Sequence, residues 1–175
     1  MKFKHLTLAV ALLLACAASS MAQQAADITT KYDRFENTTL IQLKPMKITG
    51  GLYDGLHLGV AFKCPGDAKS CLPDKVGLGL IVTMKGAKYD LPGRLTVLAD
   101  DERFQLGEMT NLGSTEVPPL GWHIIATSLA VTLTPADFTK IAKAKKVEMK
   151  LDQFEFELNA DQKTALYSIS TLARP

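Results

Sequence analysis

Leu56-His57-Leu58-Gly59-Val60-Ala61-Phe62 and, after a short loop, Val76-Gly77-Leu78-Gly79-Leu80-Ile81-Val82-Thr83-Met84 are the stretches that decide the fold class. In the first, Leu56, Leu58, Val60 and Phe62 alternate with His57, Gly59 and Ala61; in the second, Val76, Leu78, Leu80, Val82 and Met84 alternate with Gly77, Gly79, Ile81 and Thr83. A period of two puts each apolar set on one face of a strand, so both runs read as strands with one buried side. Their other side is built of small residues, Gly59, Ala61, Gly77 and Gly79. Glycine inside a strand weakens it and often marks a place where another backbone or a ligand comes close. The expectation is a helix or second sheet packed on this face, with a shallow binding face as the alternative.

Working outward, the first 22 residues have a different character. Lys2 and Lys4 precede an apolar run from Leu6 to Ala15, and the small residues Ala17-Ala18-Ser19-Ser20-Met21-Ala22 follow. That is the three-part layout of a secretory signal, and its apolar run is too short to span a bilayer as a helix. Two processing routes fit: cleavage after Ala22, which is favoured, or acylation of Cys16 within the lipobox-like Leu13-Leu14-Ala15-Cys16. Either route predicts export to the periplasm or outer envelope, and no later stretch has the length of a transmembrane span.

Removing residues 1–22 from the 175 leaves a chain suited to one domain. It also removes Lys2 and Lys4, so the 20 basic residues become 18 against 18 acids and the mature net charge is zero. A neutral chain carries no electrostatic footprint for nucleic acid. The reading places a signal at 1–22, a flexible tether at 23–35 and one globular β-rich domain at 36–175.

Both routes leave Cys64 and Cys71, which bracket the turn-rich Pro65-Gly66-Asp67-Ala68-Lys69-Ser70. In an oxidising compartment a disulfide is the default. A zinc site needs two more ligands, and this segment has no histidine.

Further along, Thr39, Ile41 and Leu43 alternate up to Pro45, and Met46 and Ile48 resume the pattern. Arg94–Ala99 and Arg103–Met109 predict a hairpin, Thr110–Leu120 a loop, and Trp122–Leu133 a long strand. Thr134-Pro135-Ala136-Asp137 resembles a capping box and opens a short helix with Phe138, Ile141 and Ala142 as its apolar stripe. Val147–Leu151 and Phe154–Leu158 predict a second hairpin turning at Asp152-Gln153, and Asn159 caps a last helix. Strands in series with two late helices argue for an α+β domain, mainly antiparallel β: a sandwich-like or curved sheet with two short helices in the C-terminal third.

Signals for chemistry are sparse. The mature chain has two histidines, His57 and His123, and lacks G-x-S-x-G, H-E-x-x-H and S-x-x-K. His57 falls on the outer side of its strand; Trp122 and His123 sit together at a strand start and form a candidate pocket. No catalytic residue, metal ligand or cofactor is assigned.

Tyr32-Asp33-Arg34-Phe35, Val97-Leu98-Ala99-Asp100 and the run from Phe138 to Leu158 resemble a recurrent type of uncharacterised bacterial exported protein. The resemblance implies export and a β-rich fold and brings no activity with it. The functional expectation is a non-catalytic envelope binding or assembly module whose partner is a protein, polymer or lipid. A carrier of a small apolar ligand is the alternative, and an envelope hydrolase is a more distant one.

Overall fold

The computed structural model describes residues 28–51, 54–117 and 123–174. Among the described residues, ten strands run in the order β1 (Ile28–Asp33), β2 (Thr38–Gly50), β3 (Gly55–Pro65), β4 (Val76–Lys85), β5 (Arg94–Ala99), β6 (Glu102–Glu108), β7 (Thr110–Val117), β8 (Ile124–Leu133), β9 (Val147–Leu151) and β10 (Phe154–Glu157). Helix α1 (Pro135–Lys143) lies between β8 and β9, and α2 (Ala160–Leu172) follows β10. The strands form two antiparallel sheets, six in the order β1-β2-β3-β4-β8-β7 and four in the order β10-β9-β5-β6. The fold is mainly antiparallel β with two short helices in its C-terminal third, and neither sheet closes on itself.

The alternation in β3 and β4 places Leu58, Val60, Leu78 and Leu80 in the core between the sheets. The second sheet contributes Leu95, Val97, Met149 and Leu151 to the same cluster, and the helices contribute Phe138, Ile141, Leu166 and Ile169. Gly59, Ala61, Gly77 and Gly79 therefore lie on the opposite, outer face, with Gly59 paired to Gly79 and Ala61 to Gly77. The expected covering layer packs on the other side instead. The nearest atoms a Cβ would meet at Gly77 and Gly79 are carbonyl oxygens of adjoining strands, Ala61 O at 3.3 Å and Leu129 O at 3.7 Å. The large side chains chose the buried face, and one-sided burial is enough for an antiparallel sheet.

Two segments differ from the sequence reading. Ile28–Asp33, expected in the tether, pairs with Thr38–Leu43 as the edge strand β1. Thr110–Val117, expected as a loop, is the edge strand β7, exposed along its whole length. Neither has a fully buried face, so neither carries the alternation that marks a strand in sequence.

Pro45 has no N–H to give to a ladder, and the β2–β3 register shifts between Leu43 and Met46. The single residue Met109, 4% exposed, carries the chain from β6 in one sheet to β7 in the other, and its N–H donates to Gly93 O at 3.0 Å. The two sheets thus share a corner on that side.

The helix starts follow their sequence grammar. Thr134 Oγ1 accepts the Asp137 N–H at 3.1 Å and donates to the Asp137 carboxylate at 2.8 Å. Asn159 and Gln162 form the full reciprocal box, each side chain accepting the other's backbone N–H. Gln162 also donates from Nε2 to Lys47 O at 2.8 Å, and at the far end of α2 Leu172 O accepts the Cys71 N–H at 3.0 Å. Helix α2 thereby ties β2 to the cysteine loop.

Cys64 and Cys71 are joined, with an S–S distance of 1.99 Å and Cα atoms 5.7 Å apart. The closed ring is short, and loop entropy assigns it about 2.5 kcal/mol. Replacing both cysteines by serine should lower the midpoint of urea unfolding by an amount equal to about 2 kcal/mol, and 10 mM dithiothreitol should lower the wild type to match. Equal stabilities with and without reductant would show that the ring contributes nothing to the folded state.

A cleft at the open end of the two sheets

The sequence candidates do not converge. Trp122 lies outside the described residues, and so does Cys16. His123 has an 84% exposed side chain whose Nδ1 meets Glu116 of β7, a contact at the surface rather than in a pocket wall. His57 is half-buried on the outer face of β3, opposite Ile81 of β4. Among the described residues no group of three or more His, Cys, Asp or Glu side chains is placed to hold a metal ion.

The structure instead assembles a site that no single segment announces. At the end of the sheets remote from the disulfide, Leu56 of β3 and Val82 and Met84 of β4 face Leu151 of β9 and Phe154 and Phe156 of β10 across a cleft of about 640 Å³. That volume is in the range of small-ligand sites, and its walls are mostly apolar, as such sites usually are. Phe154 is 49% exposed at the mouth. A large apolar side chain held at the rim of an apolar opening leaves water on surface that a ligand could cover.

One wall is held by a short network. Tyr89 lines the cleft and donates its hydroxyl to Asp152 Oδ2 at 2.5 Å. The same carboxylate accepts the Gly93 N–H at 2.9 Å and the Arg94 N–H at 3.0 Å. Asp152 sits at φ 51 in the β9–β10 turn, a left-handed conformation that Asp tolerates better than most residues. Burial opposes its ionisation, yet the bonds from Tyr89, Arg94 and Gly93, together with the charge of Arg94, hold its pKa below the ordinary carboxylate value. Burial and the bond to Asp152 push the Tyr89 hydroxyl well above its usual range. Both shifts favour the arrangement present, a neutral phenol on an ionised carboxylate.

A second depression, of about 390 Å³, lies on the outer face of the four-stranded sheet. Three of its charged side chains are paired: Lys150 with Glu155 at 2.6 Å, and Glu148 with Lys146, which lies outside the lining, at 2.9 Å. In and just after α1, Lys140 pairs with Glu102 at 2.7 Å, and Lys146 pairs with Glu148 of β9 and Glu157 of β10. Arg174, just past α2, holds Nε and Nη2 away from solvent without a partner among the described residues, at the end of the molecule away from the cleft.

Sequence reasoning missed the cleft because its walls come from five strands spread between Thr49 and Phe156. The one local signal was Phe154-Glu155-Phe156, whose alternation marks a strand with an apolar side but not what that side faces. No protein-family model, curated protein or solved structure matches the chain.

Proposed function

We propose that the chain is a non-catalytic binding protein of the cell envelope that holds a small apolar ligand in the cleft between its sheets. The observation that carries this reading is the apolar opening of about 640 Å³ with Phe154 exposed at its mouth. Export is supported by the leader at residues 1–22 and by the joined cysteines, which suit an oxidising compartment.

Assembly by strand addition is supported less well. The exposed edge β7 has a register shift between Asn111 and Gly113 and carries Glu116, and the edge β10 is four residues long with two glutamates. Bulges, charges and short length are the features that keep edges from pairing.

The test is ligand recovery. Protein purified from an envelope fraction, its intact mass starting at Gln23, should release an apolar small molecule on organic extraction. Phe154→Asp should release less than a tenth as much while keeping the wild-type melting curve, because the changed side chain is half in solvent. Extracts that match a buffer blank, or a Phe154→Asp protein as fully loaded as the wild type, would defeat the cleft reading.

A further inference from the structure

We infer that Met84 is an oxidation site: a peroxide converts its thioether to the sulfoxide, and the modified side chain closes the cleft to an apolar ligand. The inference rests on the proposed function and adds a chemical control to it. Met84 stands near the end of β4, partly buried against the core, and lines the cleft with Val82, Leu151 and Phe154. Peroxides attack the accessible sulfur of a protein, thiolates before thioethers. Both cysteines among the described residues, Cys64 and Cys71, are joined, so neither offers a thiolate. Met109 and Met149 are 4% and 1% exposed, closed to an oxidant in solution. Met46 and Met84 are each partly open. Of these two, Met84 lines the cleft, whereas Met46 borders a smaller depression at the start of α2 with Lys47 and Gln162.

In the reaction with hydrogen peroxide, a sulfur lone pair attacks one peroxide oxygen, the S–O bond forms and the O–O bond breaks. The departing hydroxide takes the proton from the transferred oxygen and leaves as water. The sulfur loses two electrons and the peroxide gains them, so no further reactant is needed. The product is a polar side chain where a flexible apolar one stood. In the free protein its oxygen is hydrated, because Met84 is partly open to solvent. An apolar ligand lying on it would strip that water and offer no donor in return. The strands have no cause to move: Met84 is held opposite Ile125 of β8 by the backbone ladder, which its sulfur does not enter. Oxidation therefore acts on the lining of the cleft and leaves the fold in place.

The experiment treats mature protein, stripped of endogenous ligand, with hydrogen peroxide, desalts it, and titrates it with the fluorescent probe N-phenyl-1-naphthylamine. Peptide mapping by mass spectrometry locates the added oxygen. Before oxidation the probe should bind wild type and Met84→Leu alike, since leucine keeps the volume and apolarity of the wall, and bind Phe154→Asp far less. After peroxide the peptide carrying Met84 should hold one added oxygen, while those carrying Met109 and Met149 stay unmodified and report an intact core. Wild-type affinity should then fall roughly tenfold, and that of Met84→Leu should stay within about twofold of its untreated value. Met46→Leu should respond to peroxide as the wild type does. A Met84 that stays unmodified, an oxidised wild type that binds as before, or a Met84→Leu protein that loses as much affinity as the wild type would each overturn the inference and leave the cleft standing. A probe bound equally by Phe154→Asp and wild type before any oxidant is added would remove the cleft reading itself and the inference with it.

Discussion

Phe138→Ala should cost about 3–5 kcal/mol, the largest loss expected from any single substitution discussed for this protein. Phe138 is 0% exposed and is among the largest fully buried side chains of the core. It lies on α1, which packs on α2 and β5, so the ring sits where two helices meet the four-stranded sheet. Truncation would remove its own buried surface and open a cavity that three elements would have to collapse to fill. Domains of this size have only about 5–15 kcal/mol to lose. The urea midpoint should fall steeply at constant slope, since the same surface is exposed on unfolding. Thr134→Ala, which removes only the cap of the same helix, should cost about 1 kcal/mol. A Phe138→Ala protein no less stable than Thr134→Ala would mean that α1 is not anchored through its apolar face.

Asp152→Ala should be the second most costly change, at about 3 kcal/mol. It would strip the partner from the Tyr89 hydroxyl and from the N–H groups of Gly93 and Arg94, and would leave alanine at a positive φ. Two milder variants separate these effects. Tyr89→Phe keeps the carboxylate and its two backbone donors and should cost about 1 kcal/mol. Asp152→Asn keeps an acceptor and tolerates the backbone, and so isolates the charge. The pH dependence has a definite sign. Because the folded-state pKa of Asp152 is depressed below 3.8, the ionised carboxylate contributes its full stabilisation above that value. The contribution is lost as pH falls through the depressed pKa. The gap between wild type and Asp152→Asn should hold constant from pH 7 down to about 5 and close in stronger acid. A gap that widened on acidification would mean that folding raises the pKa of this carboxylate.

The fold was legible wherever a strand has two different faces. In β3 and β4 the core side chains alternate mostly with small or polar ones, and the register puts Leu58, Val60, Leu78 and Leu80 on the buried face the alternation predicts. Helix starts at Thr134 and Asn159 were readable because capping is a local transaction between neighbours. Strands β1 and β7 were invisible for the opposite reason: each is held by backbone bonds to one neighbour and buries almost nothing of its own. The small-residue face misled, since Gly59, Gly77 and Gly79 signal close backbone approach without saying on which side of the sheet bulk will gather. The cysteine pair was readable because two cysteines bracketing a short turn-rich loop can approach, whereas the apolar cleft depends on which strands end beside which, a property of topology alone.

The placement of β8 beside β4 has a consequence in time. Strands β1 to β4 form a meander in which each pairs with its predecessor, so they can zip up from short loops. Strand β8 cannot join until β5, β6 and β7 have been made, because Val76 pairs with Leu133 across everything between them. Closing so distant a pair forfeits chain entropy before any contact returns it, and such topologies fold in milliseconds to seconds rather than microseconds. The cleft walls span both halves, Met84 from the meander and Phe154 from beyond β8, so the cleft needs residues far apart in the chain to be brought together. A chain still lacking its C-terminal third would have no Leu151, Phe154 or Phe156, so the cleft has its second wall only once those strands are in place.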